Sequence, residues 1–245
     1  GPGGPGASAR GPAGAKPCAA GPLQSAAAGA ATLARTPTIV LDPFGASART
    51  SAATMRDHSS GLPNKAQPRV SSAQFFAAAA TLGERPILVG HSISSGIATI
   101  YASRYPTSGV VNVDGQLFVQ PVSELLHSLA PRIEGEGFDE VWRTVFWPSM
   151  HTELLPLRAQ ELLEETSRPR RELVVGYWRD ILDRSAAQLS ASVAAGLSRV
   201  RERGTRYLIV SGDRLQAGYR RWLATELPQA RLTVIPRSGH FPQLG

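Results

Sequence analysis

Residues 87–96 read Ile-Leu-Val-Gly-His-Ser-Ile-Ser-Ser-Gly, and this stretch decides the fold of the chain. The apolar run that ends at Val89 predicts a buried β-strand, because it does not alternate with polar residues. The residues from Gly96 to Tyr105 have the pattern of a helix. A strand, a tight turn and a helix therefore follow one another, and Ser92 lies in the turn.

The residues that flank Ser92 are those expected around a catalytic nucleophile at a strand-to-helix turn. A nucleophile at a sharp strand-to-helix turn takes a strained backbone conformation, which requires small residues two positions before and after it. Gly90 and Ser94 meet that requirement, with serine in place of the more usual glycine at the second position. The backbone N–H of Ile93 is then predicted to face a developing oxyanion. The alternative interpretation is a tight turn whose serine caps the following helix.

Further short apolar runs predict a parallel β-sheet. They are rich in β-branched residues and alternate with helical candidates, as expected for strands that helices cover on both faces. The predicted strands are Thr38–Leu41, Pro86–Val89, Val110–Val113, Tyr207–Val210 and Leu232–Ile235, and the predicted helices between them are Ser71–Leu82, Ile97–Tyr105 and Tyr219–Leu227. The predicted fold class is therefore α/β, with a mostly parallel sheet flanked by helices.

The chain divides by composition into four segments. Residues 1–35 are mostly Gly, Pro and Ala without an acidic residue, which predicts disorder. Residues 36–116 and 204–245 are predicted to form the two parts of the α/β core. Residues 117–203 interrupt the alternation of strands and helices, and their amphipathic pattern predicts an inserted helical lid over one end of the sheet. The predicted lid helices are Val122–Leu129, Glu153–Glu165, Arg171–Leu182 and Ala186–Arg203.

Composition argues against several classes of function. The 245 residues are 42% hydrophobic and include a single cysteine, Cys18, which excludes a disulfide framework and a cysteine-based metal site. No apolar run is long enough to span a membrane and no secretory signal is evident, so a cytoplasmic location is predicted. The net charge is +7, but the arginines are interspersed with acids, so no nucleic-acid partner is expected. Neither the histidine spacing nor any glycine motif predicts a metal or a nucleotide cofactor.

A second candidate site residue lies after the last predicted strand, in Arg237-Ser238-Gly239-His240-Phe241-Pro242. A histidine on a Gly-containing loop beyond a strand can reach a serine that is presented at the same edge of the sheet. A single histidine is more often an ordinary loop residue. The order of a serine at a strand-to-helix turn followed by a late histidine nevertheless fits nucleophilic catalysis.

Together these features resemble the α/β-hydrolase superfamily, in its lidded serine hydrolase and esterase branch. The resemblance is carried by Ile87–Ser92, Tyr101–Pro106, Val110–Gly115, Leu208–Asp213 and Ser238–Pro242. It implies Ser92 as the nucleophile and His240 as the general base. A serine where related dehalogenases carry an aspartate implies cleavage of an ester, a lactone or a related acyl bond without a cofactor. The implied partner is a small apolar ester-like substrate, and its expected contacts are Phe44, His91 and Trp147.

The acidic member of the implied triad has two candidates. Family members usually carry the acid three residues beyond the glycine that follows the equivalent of Tyr207–Val210. That position is Leu215 here, so Asp213 serves only if the loop is shifted. Other members carry the acid after the strand that follows the nucleophile helix, where this chain has Asp114. Asp114 is the preferred prediction and Asp213 the alternative, and an aspartate that merely stabilises a turn is a third interpretation.

Departures from the family pattern leave other readings open. Asp42-Pro43-Phe44-Gly45-Ala46-Ser47 resembles either a turn after a later strand, which is preferred, or a degenerate oxyanion loop. On the preferred interpretation the second oxyanion donor is missing, which costs about a hundredfold to a thousandfold in rate. Since the chain also stops five residues after His240, truncation at both ends, or a shifted reading frame near the start, is expected. The alternatives to an esterase are a non-catalytic ligand- or partner-binding protein, an inactive fragment, or a cofactor-free haloperoxidase-like side activity.

Overall fold

The computed structural model describes residues 38–41, 49–51 and 85–245. Six strands in these ranges form one sheet, in the order β2-β1-β3-β4-β5-β6, and only β2 runs antiparallel to its neighbour. The strands are β1 (Thr38–Leu41), β2 (Arg49–Ser51), β3 (Ile87–His91), β4 (Gly109–Val113), β5 (Arg206–Ser211) and β6 (Arg231–Val234). The predicted α/β fold with a mostly parallel sheet is thereby confirmed.

Six helices of ten or more residues accompany the described part of the sheet. They are α1 (Ile93–Arg104), α2 (Gln120–Ile133), α3 (Leu157–Thr166), α4 (Arg171–Leu182), α5 (Ala186–Glu202) and α6 (Ala217–Glu226). Shorter helical turns span Phe138–Val141, Trp142–Phe146, Trp147–Ser149, Thr152–Leu154 and Pro242–Leu244, and the second of these is a π-helical turn.

The main core lies between the sheet and the helices α1, α5 and α6. Leu88 and Val110 come from the two central strands and are 0% and 1% exposed. They share one buried cluster with Ala98 of α1 and Leu197 of α5. Burial of a leucine side chain stabilises the fold by about 1.5–3 kcal/mol, so this cluster fixes α1 against the strand that precedes it.

All residues between β4 and β5 that form regular structure are helical, as the sequence predicts for this segment. The segment has its own buried cluster, which includes Leu126, Ile133, Trp142 and Met150. Phe241, beside His240, belongs to the same cluster. The cluster therefore ties the helical segment to the loop that carries the candidate histidine; the role of the segment as a lid stays a prediction.

Several helix boundaries differ from the predicted ones. Helix α1 begins at Ile93 and not at Gly96, because Ser94 and Ser95 are buried in its first turn despite their low helix propensity. The predicted helix Glu153–Glu165 is broken before Leu157, where Pro156 is the N-cap residue of α3. Helix α2 continues past Pro131 to Ile133, beyond the expected end at Leu129, because burial of Ile133 outweighs the hydrogen bond that the proline cannot donate.

Some predictions fall on residues outside the described ranges. They are the disordered segment 1–35, the helix Ser71–Leu82, the substrate contact Phe44 and the loop 42–47 with its two interpretations. Strand β1 lies directly beside β3, and Leu41 is paired with Gly90. Among the helices that the structure describes, none is long and apolar enough to cross a membrane.

Candidate active site

The strand-to-helix turn places Ser92 in a strained backbone conformation. Its φ and ψ angles are 55° and −129°, a region that costs a non-glycine residue about 1–3 kcal/mol. The N–H of Ser92 donates a hydrogen bond to the Val113 carbonyl at 2.9 Å, which continues the β3–β4 pairing into the turn. The Ser92 side chain makes no capping hydrogen bond to α1, so helix capping does not account for this serine.

The residues around the turn leave no room for larger side chains. A Cβ on Gly90 would lie 2.5 Å from the Ser94 carbonyl oxygen, and one on Gly115 would lie 2.6 Å from the Ser92 carbonyl oxygen. The N–H and the hydroxyl of Ser95 both donate to that same Ser92 oxygen, at 3.1 Å and 2.6 Å. Close packing and two hydrogen bonds therefore hold the strained turn in place.

Ile93 occupies the first helical position after Ser92. The first N–H groups of a helix have no acceptor within the helix, so they are available to an external acceptor. The positive end of the helix dipole also favours negative charge at this point. The expected role of the Ile93 N–H as an oxyanion donor agrees with this position and stays a prediction.

Asp114 and His240 are joined directly. The Nδ1 of His240 lies 2.8 Å from Oδ2 of Asp114, and the two side chains are 20% and 18% exposed. The other carboxylate oxygen of Asp114 accepts hydrogen bonds from the Ser211 hydroxyl at 3.0 Å and the Gly212 N–H at 3.3 Å. The donors at the end of β5 thus hold a carboxylate that comes from the end of β4.

The surroundings of Asp114 keep its carboxyl group ionised. Burial raises the pKa of Asp114, but the hydrogen bond and the charge of His240, with the Ser211 and Gly212 donors, lower the pKa by more. The pKa of Asp114 therefore lies below its ordinary value. An ionised carboxylate accepts the Nδ1–H of His240, which leaves Nε2 as the nitrogen that can take up a proton.

A local amide supports the turn that carries Asp114. Asp114 has a φ of 48°, and its N–H donates to the Val210 carbonyl at 2.8 Å. The fully buried Asn112 accepts from the Gly115 N–H at 2.7 Å and donates to the Gly115 carbonyl at 3.0 Å. The side chain of Asn112 thereby makes two hydrogen bonds to Gly115 and closes the turn that contains Asp114.

The backbone of His240 is held at both of its peptide groups. Its N–H donates to the Met150 carbonyl at 2.8 Å, and its carbonyl lies 2.7 Å from Nε2 of His91. Gly239 has a φ of 52°, and a Cβ there would lie 2.5 Å from the Met150 carbonyl oxygen. Sequence reasoning missed Met150, Ser211 and this contact of His91, because no local pattern marks a partner that is distant along the chain.

The other predicted site residues within the described ranges are Asp213, Trp147 and His91. Asp213 is exposed, and among the described residues no hydrogen bond joins its carboxylate to His240. Trp147 is half-buried and packs against the cluster that contains Phe241, and its contact with a substrate stays a prediction. His91 is only 7% exposed and its bond to the His240 carbonyl occupies Nε2. No group of three or more metal-ligating side chains occurs within the part of the chain that the structure describes.

The sequence model of the alpha/beta hydrolase family matches residues 21–244. The chain belongs to the alpha/beta hydrolase family. In this alpha/beta hydrolase the match includes Ser92, Asp114 and His240. No curated protein sequence matches the chain at a significant level.

Three solved structures illustrate what this alpha/beta hydrolase is similar to. E-2-(acetamidomethylene)succinate hydrolase is 16% identical, with 71% of this chain and 66% of that chain covered and a TM-score of 0.47. MenH from S. aureus is 16% identical, with 71% and 68% covered and a TM-score of 0.46. Monoacylglycerol lipase from Paleococcus ferrophilus is 16% identical, with 67% and 63% covered and a TM-score of 0.42. The chain spans about two thirds of the length of each of these proteins.

Proposed function

We propose that this alpha/beta hydrolase is a serine hydrolase that cleaves an ester-type bond through an acyl-enzyme. The observation that carries the proposal is the 2.8 Å contact between Asp114 and His240 at the sheet edge where the strained turn presents Ser92. A carboxylate on Nδ1 fixes the tautomer and the orientation of the imidazole and stabilises the imidazolium that forms during the reaction.

The first half of the reaction forms the acyl-enzyme. The hydroxyl oxygen of Ser92 attacks the carbonyl carbon of the substrate while Nε2 of His240 takes up the hydroxyl proton. The carbonyl oxygen becomes an oxyanion, which the Ile93 N–H stabilises. The tetrahedral intermediate then collapses, the bond to the leaving alkoxide breaks, and His240 passes its proton to that oxygen.

The second half restores the enzyme. Nε2 of His240 takes a proton from a water molecule, whose oxygen attacks the acyl carbon. The second tetrahedral intermediate releases the carboxylic acid, and the proton on His240 returns to Ser92. No external oxidant, metal ion or cofactor takes part in these steps.

The helical segment between β4 and β5 is proposed to act as the lid over this site. The hydrogen bond from the His240 N–H to Met150 supports this role, since Met150 belongs to that segment. The aromatic side chains of the segment favour a small apolar acyl group, because apolar pockets are lined mainly by such residues. Phe138 and Trp142 belong to its buried cluster, and Phe146, Trp147 and Trp178 are partly buried against that cluster.

The test is the rate of labelling by a fluorophosphonate probe, which phosphonylates activated serines. We expect rapid labelling of the parent, none in Ser92→Ala, and at least a hundredfold loss of rate in His240→Ala, since nucleophile and base act as a unit. Ser128→Ala and His127→Ala, both on the exposed face of α2, are the matched controls and should label like the parent. If the folded parent stays unlabelled, the serine hydrolase proposal is wrong, and the result favours a non-catalytic ligand- or partner-binding protein.

A further inference from the structure

We infer that His91 is a positioning residue, whose imidazole holds the backbone of His240 at the working distance from the nucleophile turn. The inference deepens the proposed function and depends on it. It also replaces the expectation that His91 contacts the substrate, because the ring is buried and its Nε2 is engaged by a protein carbonyl.

The contact joins the two loops that must cooperate in catalysis. His91 is the last residue of β3 and is covalently bonded to Ser92, so its backbone moves with the turn. Its Nε2 lies 2.7 Å from the His240 carbonyl oxygen, across 149 residues of sequence. The centroids of the two imidazole rings are 4.8 Å apart, and the centroid of the tilted Phe241 ring lies 5.2 Å from that of His91. A buried ring with aromatic neighbours has little freedom to leave this position.

The chemistry of the acceptor fixes the direction of this hydrogen bond. A carbonyl oxygen only accepts, so Nε2 of His91 must carry the proton and donate it. The neutral ring is therefore the Nε2–H tautomer. In that tautomer Nε2 of His91 cannot take a proton or bind a metal, so its contribution at this contact is that of a fixed donor.

Three hydrogen bonds that His240 makes within the described part of the chain have different origins. Met150 in the helical segment accepts from its N–H, Asp114 after β4 accepts from its Nδ1, and His91 donates to its carbonyl. Only the His91 contact originates in the strand that carries Ser92. The His91 hydrogen bond therefore sets the distance between the base and the nucleophile. The Met150 hydrogen bond holds the His240 backbone against the helical segment, and the Asp114 hydrogen bond fixes the tautomer of the imidazole. A displacement of about 1 Å in such a pair can cost on the order of a hundredfold in rate.

The first experiment compares His91→Leu with His91→Gln. Leucine removes the donor and keeps an apolar side chain, whereas glutamine offers an amide N–H near the position of the ring Nε2. We expect the labelling rate and kcat for p-nitrophenyl acetate to fall by roughly 10- to 100-fold in His91→Leu, with KM unchanged. Glutamine should recover most of both rates. His127→Leu and His127→Gln, at an exposed histidine of α2, are the controls.

Two results of this comparison would overturn the inference. If His91→Leu keeps the rates of the parent, the contact does not position the base. If leucine and glutamine lose rate equally while both variants unfold at the same temperature as the parent, the hydrogen bond has no role in the reaction. A rise of KM at constant kcat would instead return His91 to the substrate contacts.

A second measurement separates this inference from the proposed function. Long-range ¹H–¹⁵N spectra of the histidine rings in the folded parent, recorded at about pH 8, where an ordinary histidine is neutral, should show His91 as the Nε2–H tautomer. The Nδ1–H tautomer would overturn the inference whatever the activity of the chain. If the tautomer is Nε2–H and the parent is not labelled, the hydrolase proposal fails and the His91 hydrogen bond remains.

Discussion

At the residue scale, the site depends on a few groups whose properties are set by their neighbours. Asp114 is a partly buried carboxylate, and desolvation alone would make it a weaker acid. His240, Ser211 and Gly212 supply enough donors to reverse that effect. The same contacts that keep the carboxylate charged also fix the ring of His240, so electrostatics and geometry are not separable here.

Asp114→Asn should therefore impair catalysis strongly. An asparagine cannot accept from Nδ1 with the strength of a carboxylate, and the imidazolium loses its counter-charge. We expect the labelling rate to fall about a thousandfold or more. Asp213→Asn, which changes the exposed alternative acid, is the matched control and should label like the parent. The opposite ranking of these two variants would assign the acid to Asp213.

The same residue predicts a dependence of stability on pH. The pKa of Asp114 is lower in the folded chain than in the unfolded chain, so its contribution to stability is present above the unfolded pKa of about 3.9. The contribution is lost as the pH falls through the folded pKa. In urea unfolding, the parent should exceed Asp114→Asn in stability at neutral pH, and the difference should shrink below about pH 4. A difference that stays constant down to pH 2 would contradict this assignment.

At the scale of elements, the β3–α1 turn determines whether the nucleophile is presented. Where glycine is more usual the turn has Ser94, which is 3% exposed in the first turn of α1. The close approaches fall on Gly90 and Gly115, where neighbouring backbone and buried side-chain atoms leave no space. Around this turn, the positions that admit no Cβ are therefore Gly90, before the nucleophile, and Gly115, two residues after the end of β4.

Two alanine substitutions in this element should have opposite consequences. Gly90→Ala places a Cβ 2.5–2.6 Å from backbone atoms of Ser94 and Ser95, which cannot move aside as a flexible side chain could. We expect a loss of about 1–3 kcal/mol in the free energy of unfolding and loss of labelling. Gly96→Ala meets no atom within 4 Å and lies in α1, so it should be neutral or stabilise by up to about 1 kcal/mol. Urea titrations of both variants test the contrast, which fails if their stabilities agree.

At the scale of the whole molecule, the register of the sheet brings the site together. His91 is paired with Val113, and Val113 with Val210, so that Ser92, Asp114 and Ser211 follow one row of paired residues. Parallel strands expose their carboxyl ends at one edge, where ligands bind in folds of this class. The core beneath this row, shared by the strands with α1 and α5, keeps the register fixed.

A core substitution should therefore affect the whole molecule, whereas a surface substitution should not. Leu197 lies on α5 and is fully buried in the main core. We expect Leu197→Ala to lower the free energy of unfolding by about 2–5 kcal/mol. Leu157 is 77% exposed at the start of α3, and Leu157→Ala should change stability by less than about 0.5 kcal/mol. Thermal and urea unfolding measure both. Equal effects of the two substitutions would be inconsistent with this core.

The sequence by itself predicted five of the six strands of the described sheet and the residue types of the site, but not β2 (Arg49–Ser51). Apolar runs without alternation predict buried parallel strands, and small residues around Ser92 predict a strained turn, because both signals are local and arise from backbone sterics and periodicity. The start of α1 escaped prediction, since tertiary burial outweighs the low propensity of Ser94 and Ser95. The local pattern also left both aspartates open as partners of the histidine.

The tertiary structure alone decided which groups meet. Asp114 contacts His240 across 126 residues of sequence, and His91 contacts the same residue across 149. Such pairings follow from the order and register of β3, β4 and β5, and from a helical segment that places the Met150 carbonyl against the histidine loop. Local spacing contains no information about these distances, because they depend on how the whole sheet aligns its strand ends.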